Sequence, residues 1–163
     1  MNYIKEYIEK INSKEIIVGK KVKKIYEKLL KESDDKSLPF YFDEEKGNRP
    51  IEFIETFCKQ AEGEIGKPIK LELFQKAYIQ ALFGFVYRDT GLRRFNETMF
   101  LVGRKNGKTT MLSAIALYMM IADGEGSAEC YSVATKKDQA SKAFKSACAM
   151  RAQSPEIRAL INK

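Results

Sequence analysis

A glycine-containing loop between two apolar segments constrains the fold of this chain more than any other feature. The loop runs Gly103-Arg104-Lys105-Asn106-Gly107-Lys108-Thr109-Thr110. Residues 98–102 before it have the composition of a short buried strand, and residues 111–121 after it are apolar on nearly every side, as in a helix packed on a sheet. Glycines at such a bend let backbone amides turn toward an anion, and the positive end of the next helix points to the same place. This order predicts a phosphate-binding loop in an α/β fold.

The side chains of the loop fit a nucleoside triphosphate. Lys108 can reach the β- and γ-phosphate oxygens, and the Thr109 hydroxyl can ligate Mg²⁺. The match depends on Gly107, Lys108 and Thr109, because Gly103 stands one residue closer to the lysine than in the common form of the motif. Gly-Lys-Thr also occurs at ordinary turns and helix starts. The flanking strand and helix therefore carry the prediction that ATP and Mg²⁺ are the ligands.

Composition excludes several classes of protein. The chain has 163 residues, of which 44% are hydrophobic, enough for one ordinary domain with a real core. It has no histidine, which excludes His-based catalysis and His-ligated zinc. Its three cysteines, Cys58, Cys130 and Cys148, are too far apart to suggest a disulfide framework or a metal cluster. With no apolar run long enough to cross a bilayer and a charged N-terminus, we expect a soluble cytoplasmic protein.

The N-terminal segment is basic and has a helical pattern. Residues 1–31 contain nine Lys and four Glu, and so carry +5 of the net charge of +7. Apolar residues recur there in two groups, which predicts two amphipathic helices with their lysines on the outer faces. The two groups are Ile4, Ile8 and Ile11, then Val18, Val22, Ile25 and Leu29. Two interpretations stay open: a solvated helix face, or a surface that contacts nucleic-acid phosphates.

Turn signals divide the chain into three predicted parts. Residues 1–32 are expected to form the basic helical arm, and residues 33–70 a linker with a short helix that begins just after Pro50. Residues 71–163 are expected to form the N-terminal part of a P-loop ATPase domain. Within this third part the pattern predicts helices over 72–87 and 137–151 and a second strand over 128–134. The inward side chains of the last helix are expected to be Ala140, Ala143, Phe144 and Ala147.

The order strand, helix, strand, helix implies a parallel sheet. Two strands do not make a stable doubly wound sheet. After Thr110, moreover, no acidic residue ends an apolar strand, where a P-loop ATPase holds Mg²⁺ and activates water. We therefore expect an incomplete P-loop NTPase (RecA-like) sheet with flanking helices, lacking Walker B, in the front piece of a longer protein.

Around the loop, the sequence resembles the large subunits of tailed-phage terminases, the ATPases that pump DNA into the procapsid. The loop is similar to the Walker A segment of that family, and residues 71–76 resemble the segment that leads into its adenine motif. Residues 137–140 are similar to the start of its next helix, and the resemblance extends over essentially the whole chain. The family also has a C-terminal nuclease domain, which has no counterpart here.

The resemblance implies a role for each candidate residue. Lys108 would bind phosphate, Thr109 would ligate Mg²⁺, and Arg104 would match the loop arginine that stabilises charge on the transferring phosphoryl group. Gln75 would read adenine, with Phe74 beside it as a stacking or wall residue. The remaining nucleotide-binding positions of the loop are Gly103, Lys105, Asn106, Gly107 and Thr110.

Structural alternatives stand beside some of these roles. Arg104 can be a solvated loop residue, and Gln75 can be an ordinary polar residue on an amphipathic helix. Lys105 and Lys137 face either DNA or solvent.

The resemblance also implies partners and a setting. They are double-stranded DNA, the terminase small subunit, the portal protein and further copies in a homo-oligomeric motor, in the host-cell cytoplasm and away from membranes. We expect ATP hydrolysis to belong to the full-length protein and not to this fragment, whether that is a truncated gene product or an expression fragment. The alternative is a non-enzymatic accessory protein that binds DNA or a phage partner through its basic helical arm, the loop being vestigial. A helicase-like ATPase is a third interpretation.

Overall fold

The computed structural model describes residues 1–161. These residues form seven helices and a two-stranded antiparallel sheet. The elements are α1 Tyr3–Asn12, α2 Lys20–Asp34, β1 Phe40–Phe42, α3 Glu44–Phe57, α4 Leu73–Gly84, β2 Phe85–Tyr87, α5 Lys108–Ile121, α6 Lys137–Gln153 and α7 Pro155–Ile161. The chain divides into two compact units, and each is described separately. The first comprises Met1–Ile51 with Leu71–Met99, and the second comprises Glu52–Lys70 with the described residues from Phe100 onward.

The two predicted N-terminal helices are confirmed as α1 and α2. Their apolar faces enter the core of the first unit, where the rings of Tyr7 and Tyr26 meet edge to face with centroids 4.9 Å apart. Val22 and Ile25 depart from the prediction, because they are 38% and 56% exposed. Tyr26 and Leu29 centre the buried side of α2, and Ile25 is rotated by about 100° from Tyr26, toward solvent.

The helix predicted over 72–87 is shorter than expected. It spans Leu73–Gly84, and the chain then continues directly into β2, which pairs with β1 in the register Phe40 with Tyr87 and Phe42 with Phe85. Gly84 permits this change of direction, because a Cβ there would lie 2.7 Å from Phe42 Cε2 and 3.1 Å from Asp43 O. The sequence analysis predicted neither strand of this pair.

Helix α3 begins six residues before Pro50, at Glu44, and not after the proline as predicted. The start signal is Asp43, whose Oδ1 accepts a hydrogen bond from Lys46 N at 3.0 Å. Pro50 lies inside the helix, where its ring removes one backbone donor without ending the helix. Residues 33–70, predicted as a linker with one short helix, thus contain β1 and all of α3.

In the second unit, the predicted helices are confirmed as α5 and α6, which pack against each other. On α5 the buried side chains include Met111, Ala114, Ile115 and Leu117. Ring contact between Phe53 and Tyr118, with centroids 5.5 Å apart, joins α5 to the end of α3. On α6, Ala140, Ala143 and Ala147 are partly buried as expected, whereas Phe144 is exposed, so its inward assignment is wrong.

The two segments predicted as strands in the α/β part, 98–102 and 128–134, form no strand among the residues that the structure describes. Met99 and Leu101 are 86% and 88% exposed, and Tyr131 and Val133 are 81% and 90% exposed. The prediction of a buried strand at 98–102 is therefore wrong for this structure. Apolar composition favours a strand, but a strand forms only where a neighbouring segment accepts its backbone hydrogen bonds.

Candidate nucleotide-binding site

Lys108 closes the loop at residues 103–107 by a hydrogen bond to the residue before the loop. Lys108 Nζ donates a hydrogen bond to the main-chain oxygen of Val102 at 2.9 Å, across the five intervening residues. Those five residues are exposed, and Lys108 is half-buried. The ammonium group thus lies over the loop, at the end of the segment that precedes it.

Two residues of the loop have left-handed backbone conformations. Lys105 has a φ of 65° and Gly107 a φ of 67°. Glycine adopts this conformation without strain, while lysine does so at some cost in free energy. Between them, Asn106 Nδ2 donates a hydrogen bond to Arg104 O at 3.2 Å. Such reversals turn backbone N–H groups toward one side of a loop, which is the geometry of anion-binding concavities.

Helix α5 begins immediately after the loop, with Gly107 as its N-cap and without a side-chain cap. The first backbone hydrogen bond of the helix runs from Met111 N to Gly107 O at 2.9 Å. The amides of Lys108, Thr109 and Thr110 therefore have no acceptor within the helix. Together with the positive end of the helix dipole, they make a set of donors suited to phosphate oxygens.

The charge of the loop is uniformly positive. Arg104, Lys105 and Lys108 supply three cations within five residues, without an acidic residue among them. Arg104 and Lys105 are exposed, and in the described part of the chain neither forms an ion pair. These cations are available to an anionic ligand. Lys137, which begins α6, is likewise exposed.

The described residues fit Mg²⁺ through a single hydroxyl. Thr109 is exposed, and its hydroxyl lies in the first turn of α5. Among residues 1–161, no group of three or more His, Cys, Asp or Glu side chains is arranged to hold a metal ion. Mg²⁺ retains waters and is commonly held by one or two protein oxygens together with substrate phosphates, so the Thr109 hydroxyl is compatible with a magnesium site.

Ser113 connects the loop helix to α6, and the sequence analysis did not identify it. Its side chain is buried, and its Oγ lies 2.7 Å from Thr109 O and 2.9 Å from Ala143 O. One hydroxyl therefore joins the first turn of α5 to the middle of α6. The available signal was a polar residue inside an otherwise apolar helix, where a buried hydroxyl requires a partner.

Phe74 and Gln75 belong to the first unit, whereas the loop belongs to the second. Gln75 is buried, and its Oε1 accepts a hydrogen bond from Glu72 N at 3.0 Å within a capping box at the start of α4. Phe74 packs, half-buried, against the core of the first unit. The spacing of Glu72 and Gln75 was the sequence signal for this cap. The structure thus gives Gln75 a helix-capping role, and its reading of adenine remains a prediction.

Comparison with known proteins identifies the family. The family model described as the terminase large subunit, ATPase domain, matches residues 73–162, more than half of the chain and a range that includes Gln75 and the loop. The chain belongs to the terminase large subunit family. This confirms the resemblance drawn from the sequence.

Relatives of this terminase chain are considerably longer. The terminase large subunit of Enterobacteria phage HK97 is 30% identical over 119 residues, an alignment that covers 72% of this chain and 22% of that protein. The crystal structure of the HK97 bacteriophage large terminase matches with a TM-score of 0.53 and 28% identity, covering 70% of this chain and 22% of that one. The chain thus spans about a fifth of the length of these relatives. Among the described residues of this terminase chain, no helix has the length and apolarity to cross a membrane.

Proposed function

We propose that this chain is the ATP-binding, N-terminal part of a motor that packages viral DNA into a procapsid, with ATP bound at residues 103–110. The observation that carries the proposal is the position of Lys108 Nζ over an exposed, basic loop at the uncapped start of α5. This loop lies inside the range matched by the terminase ATPase model. Family membership does not favour the accessory-protein alternative.

In the proposed mechanism, the loop exchanges internal contacts for phosphate contacts. Lys108 leaves the Val102 carbonyl and binds a β- or γ-phosphate oxygen, while backbone N–H groups of the loop donate hydrogen bonds to the remaining phosphate oxygens. Arg104, exposed and unpaired in the described structure, places a guanidinium at the γ-phosphate, where charge develops as water attacks in line. Thr109 supplies the protein ligand to Mg²⁺, whose charge would offset that of the β- and γ-phosphates.

We assign further nucleotide contacts from the family resemblance. Gly103, Lys105, Asn106, Gly107 and Thr110 contact the phosphates through the backbone of the loop or its flanks. Gln75 reads adenine through its side-chain amide, whose oxygen also caps α4. Phe74 forms a wall of the adenine site.

We propose that the chain is the first part of a parallel P-loop NTPase (RecA-like) sheet with flanking helices. Segments 98–102 and 128–134 form no strand in this structure, and in the proposed sheet they would pair with strands of the longer protein. The side chains of 128–134 support this proposal by their period of two. Cys130 Sγ lies 3.7 Å from Ala116 O on α5, and Ser132 Oγ donates to Ala140 O on α6 at 2.8 Å. Tyr131 and Val133, between and beyond them, are exposed. Alternate side chains of the segment therefore contact α5 and α6, although Cys130 and Ser132 are themselves exposed.

We propose that the three parts of the chain predicted from the sequence have separate roles. Residues 1–32 form the basic arm, residues 33–70 the connection and residues 71–163 the ATP-binding part. The whole protein hydrolyses ATP in the host cytoplasm. Its partners are DNA, the small subunit, the portal and further copies of itself. We propose that the described residues bind ATP and that hydrolysis belongs to the whole protein, in which acidic residues would hold Mg²⁺ and activate water.

Equilibrium binding of a fluorescent ATP analogue tests the nucleotide site. Lys108→Ala is expected to lower affinity by about tenfold or more, because a charge-assisted contact to phosphate is lost. Lys142→Ala, at an exposed position on α6, is the matched control and is expected to leave affinity unchanged. Thr109→Val is expected to abolish the enhancement of binding by Mg²⁺. Equal binding by the wild type and Lys108→Ala would remove the proposal.

A further inference from the structure

Five lysines share one face of α2. At about 100° per residue, they fall within an arc of about 100° around the helix, and no acidic or apolar residue of α2 falls inside that arc. We call this set the lysine face; it consists of Lys20, Lys21, Lys24, Lys28 and Lys31. The buried side chains of the helix, Tyr26 and Leu29, lie on the opposite side.

The lysine face is available for binding. All five side chains are exposed. Lys28 forms an ion pair with Glu32 at 3.6 Å, but Glu32 is held more closely, at 2.7 Å, by Arg94. Within residues 1–161, the other four lysines form no ion pair. The face therefore concentrates positive charge, and four of its five lysines have no ion-pair partner within residues 1–161.

The helix that carries this face is fixed to the first unit. Tyr26 packs against Tyr7, Leu29 is buried, and the Glu32–Arg94 pair joins α2 to the segment that follows β2. The lysine side chains are exposed, whereas the helix that carries them is packed against the first unit. Binding to a partner would thus order side chains only, without the larger entropy loss of folding a helix.

We infer that the lysine face is a docking surface for the phosphate backbone of double-stranded DNA. Lys20 to Lys31 spans about 16 Å of helix axis, comparable with about five base pairs at 3.4 Å each. A row of cations of this length complements a partner with closely and regularly spaced negative charges. The arc holds no large apolar side chain that would enter a membrane or fill a pocket on a protein partner.

The inference builds on the proposed function, which supplies DNA as a partner, but its residues are separate from the nucleotide site. The two can therefore fail independently. Lys108→Ala is expected to leave DNA binding unchanged, and loss of the lysine face is expected to leave binding of the ATP analogue unchanged.

The test is fluorescence-anisotropy binding of the 163-residue chain to a 25-base-pair DNA duplex over a range of salt concentrations. The variant replaces Lys20, Lys24, Lys28 and Lys31 by Gln, which preserves helix propensity. The control replaces four exposed lysines elsewhere, Lys5, Lys70, Lys142 and Lys145, by Gln, so both proteins lose four charges from the same net +7. Circular dichroism checks that the helical content of both is retained.

The lysine-face variant is expected to bind DNA at least about tenfold more weakly at 0.1 M salt. Because each phosphate contact contributes about 0.9 to the slope of log K against log salt, its slope should fall by about 3 to 4. The control should change by less than about threefold. Equal losses in the two variants would show that binding follows net charge alone and would overturn the inference. Two other results would also overturn the inference. The first is a wild-type protein that does not bind DNA at 50 mM salt. The second is a lysine-face variant that loses binding to phosphatidylserine vesicles or to a polyglutamate peptide but keeps its binding to DNA.

Discussion

Arg94 and Glu32 form a two-point ion pair in which guanidinium Nη1 and Nη2 lie 2.7 and 3.4 Å from the two carboxylate oxygens. The guanidinium also lies over the Phe40 ring, 3.7 Å from its centroid, and both charged side chains are largely buried. One pair thus joins α2, β1 and the segment that follows β2. Hydrogen bonds from Arg94 hold the pKa of Glu32 below its usual range, against the opposing effect of partial burial.

Glu32→Gln should therefore destabilise the protein in a pH-dependent way. A carboxylate with a lowered pKa in the folded state contributes stability above its unfolded pKa, about 4.3, and loses that contribution as pH falls through the folded value. We expect a loss of about 1–2 kcal/mol at pH 7 that shrinks below pH 4. Urea unfolding from pH 3 to 7 measures it, with Glu9→Gln, at an exposed position on α1, as the control. A difference that stays constant over this range would contradict the assignment.

Gln80→Leu should destabilise the protein because Gln80 is a fully buried hydrogen-bonding centre. Its Oε1 accepts from Ile4 N at 3.1 Å, and its Nε2 donates to Met1 O at 2.8 Å and to Asn48 Oδ1 at 2.6 Å. Leucine removes all three contacts and leaves Ile4 N without its acceptor, although Met1 O keeps its contact with Asn48 Nδ2, so we expect a loss of about 1–3 kcal/mol. Thermal or urea unfolding tests this, and the control is Gln139→Leu on the exposed side of α6. A Gln80→Leu protein as stable as the wild type would show that these contacts do not hold α1 in place.

Substitution of Lys105 should separate backbone strain from charge in the loop. Because its φ is 65°, Lys105→Gly relieves strain while Lys105→Val, with a β-branched side chain, increases it. Both variants lose the same charge. We expect Lys105→Gly to bind an ATP analogue at least about fivefold more tightly than Lys105→Val, a difference of about 1 kcal/mol. Identical affinities for the two variants would mean that the left-handed turn is not required for nucleotide binding.

The three cysteines should differ in reactivity. Burial raises the pKa of the Cys58 thiol to about 12, and that side chain is fully buried. Cys130 and Cys148 are both exposed. Partial burial of the Cys130 thiol raises its pKa. With iodoacetamide at pH 8, we expect the exposed Cys130 and Cys148 to react in the native protein and Cys58 to react only in urea, because Cys58 is buried and its raised pKa disfavours the reactive thiolate. Peptide mass spectrometry reads each site. Modification of Cys58 in the native protein at the rate of Cys148 would disprove its burial.

Much of the helical structure could be predicted from periodicity alone. The apolar spacing on α1 and α2 and the continuous apolar run of α5 are local signals, and the structure confirms these helices. The pair β1 and β2 could not be predicted in this way, because each strand has three residues and the pairing joins Phe40 to Tyr87 across most of the first unit. For segments 98–102 and 128–134, strands were predicted from apolar composition but are not found in the structure. Composition is a property of the segment alone, whereas a strand also needs a neighbouring segment to pair with.

Only part of the candidate site is local in the sequence. The helix that starts directly after the glycine-containing loop is confirmed as α5, whereas phosphate binding at the loop stays a prediction. The hydrogen bond from Lys108 to Val102 depends on how the lysine side chain folds back, and the Gln75 cap depends on where α4 begins. The Lys108 contact has no sequence signature, whereas the Gln75 cap has one in the spacing of Glu72 and Gln75, which was not used.

Ser113 connects the proposed ATP-binding loop at residues 103–110 to α6. Its hydroxyl lies between the carbonyl oxygens of Thr109 and Ala143, so α6 cannot slide or rotate against α5 without disturbing the turn that carries Thr109. A change in the occupancy of the loop would therefore be transmitted to α6 through the Ser113 hydroxyl, whose one hydrogen is shared between the two carbonyl oxygens. The same path in reverse would let a force applied to α6 alter the grip of the loop on its nucleotide.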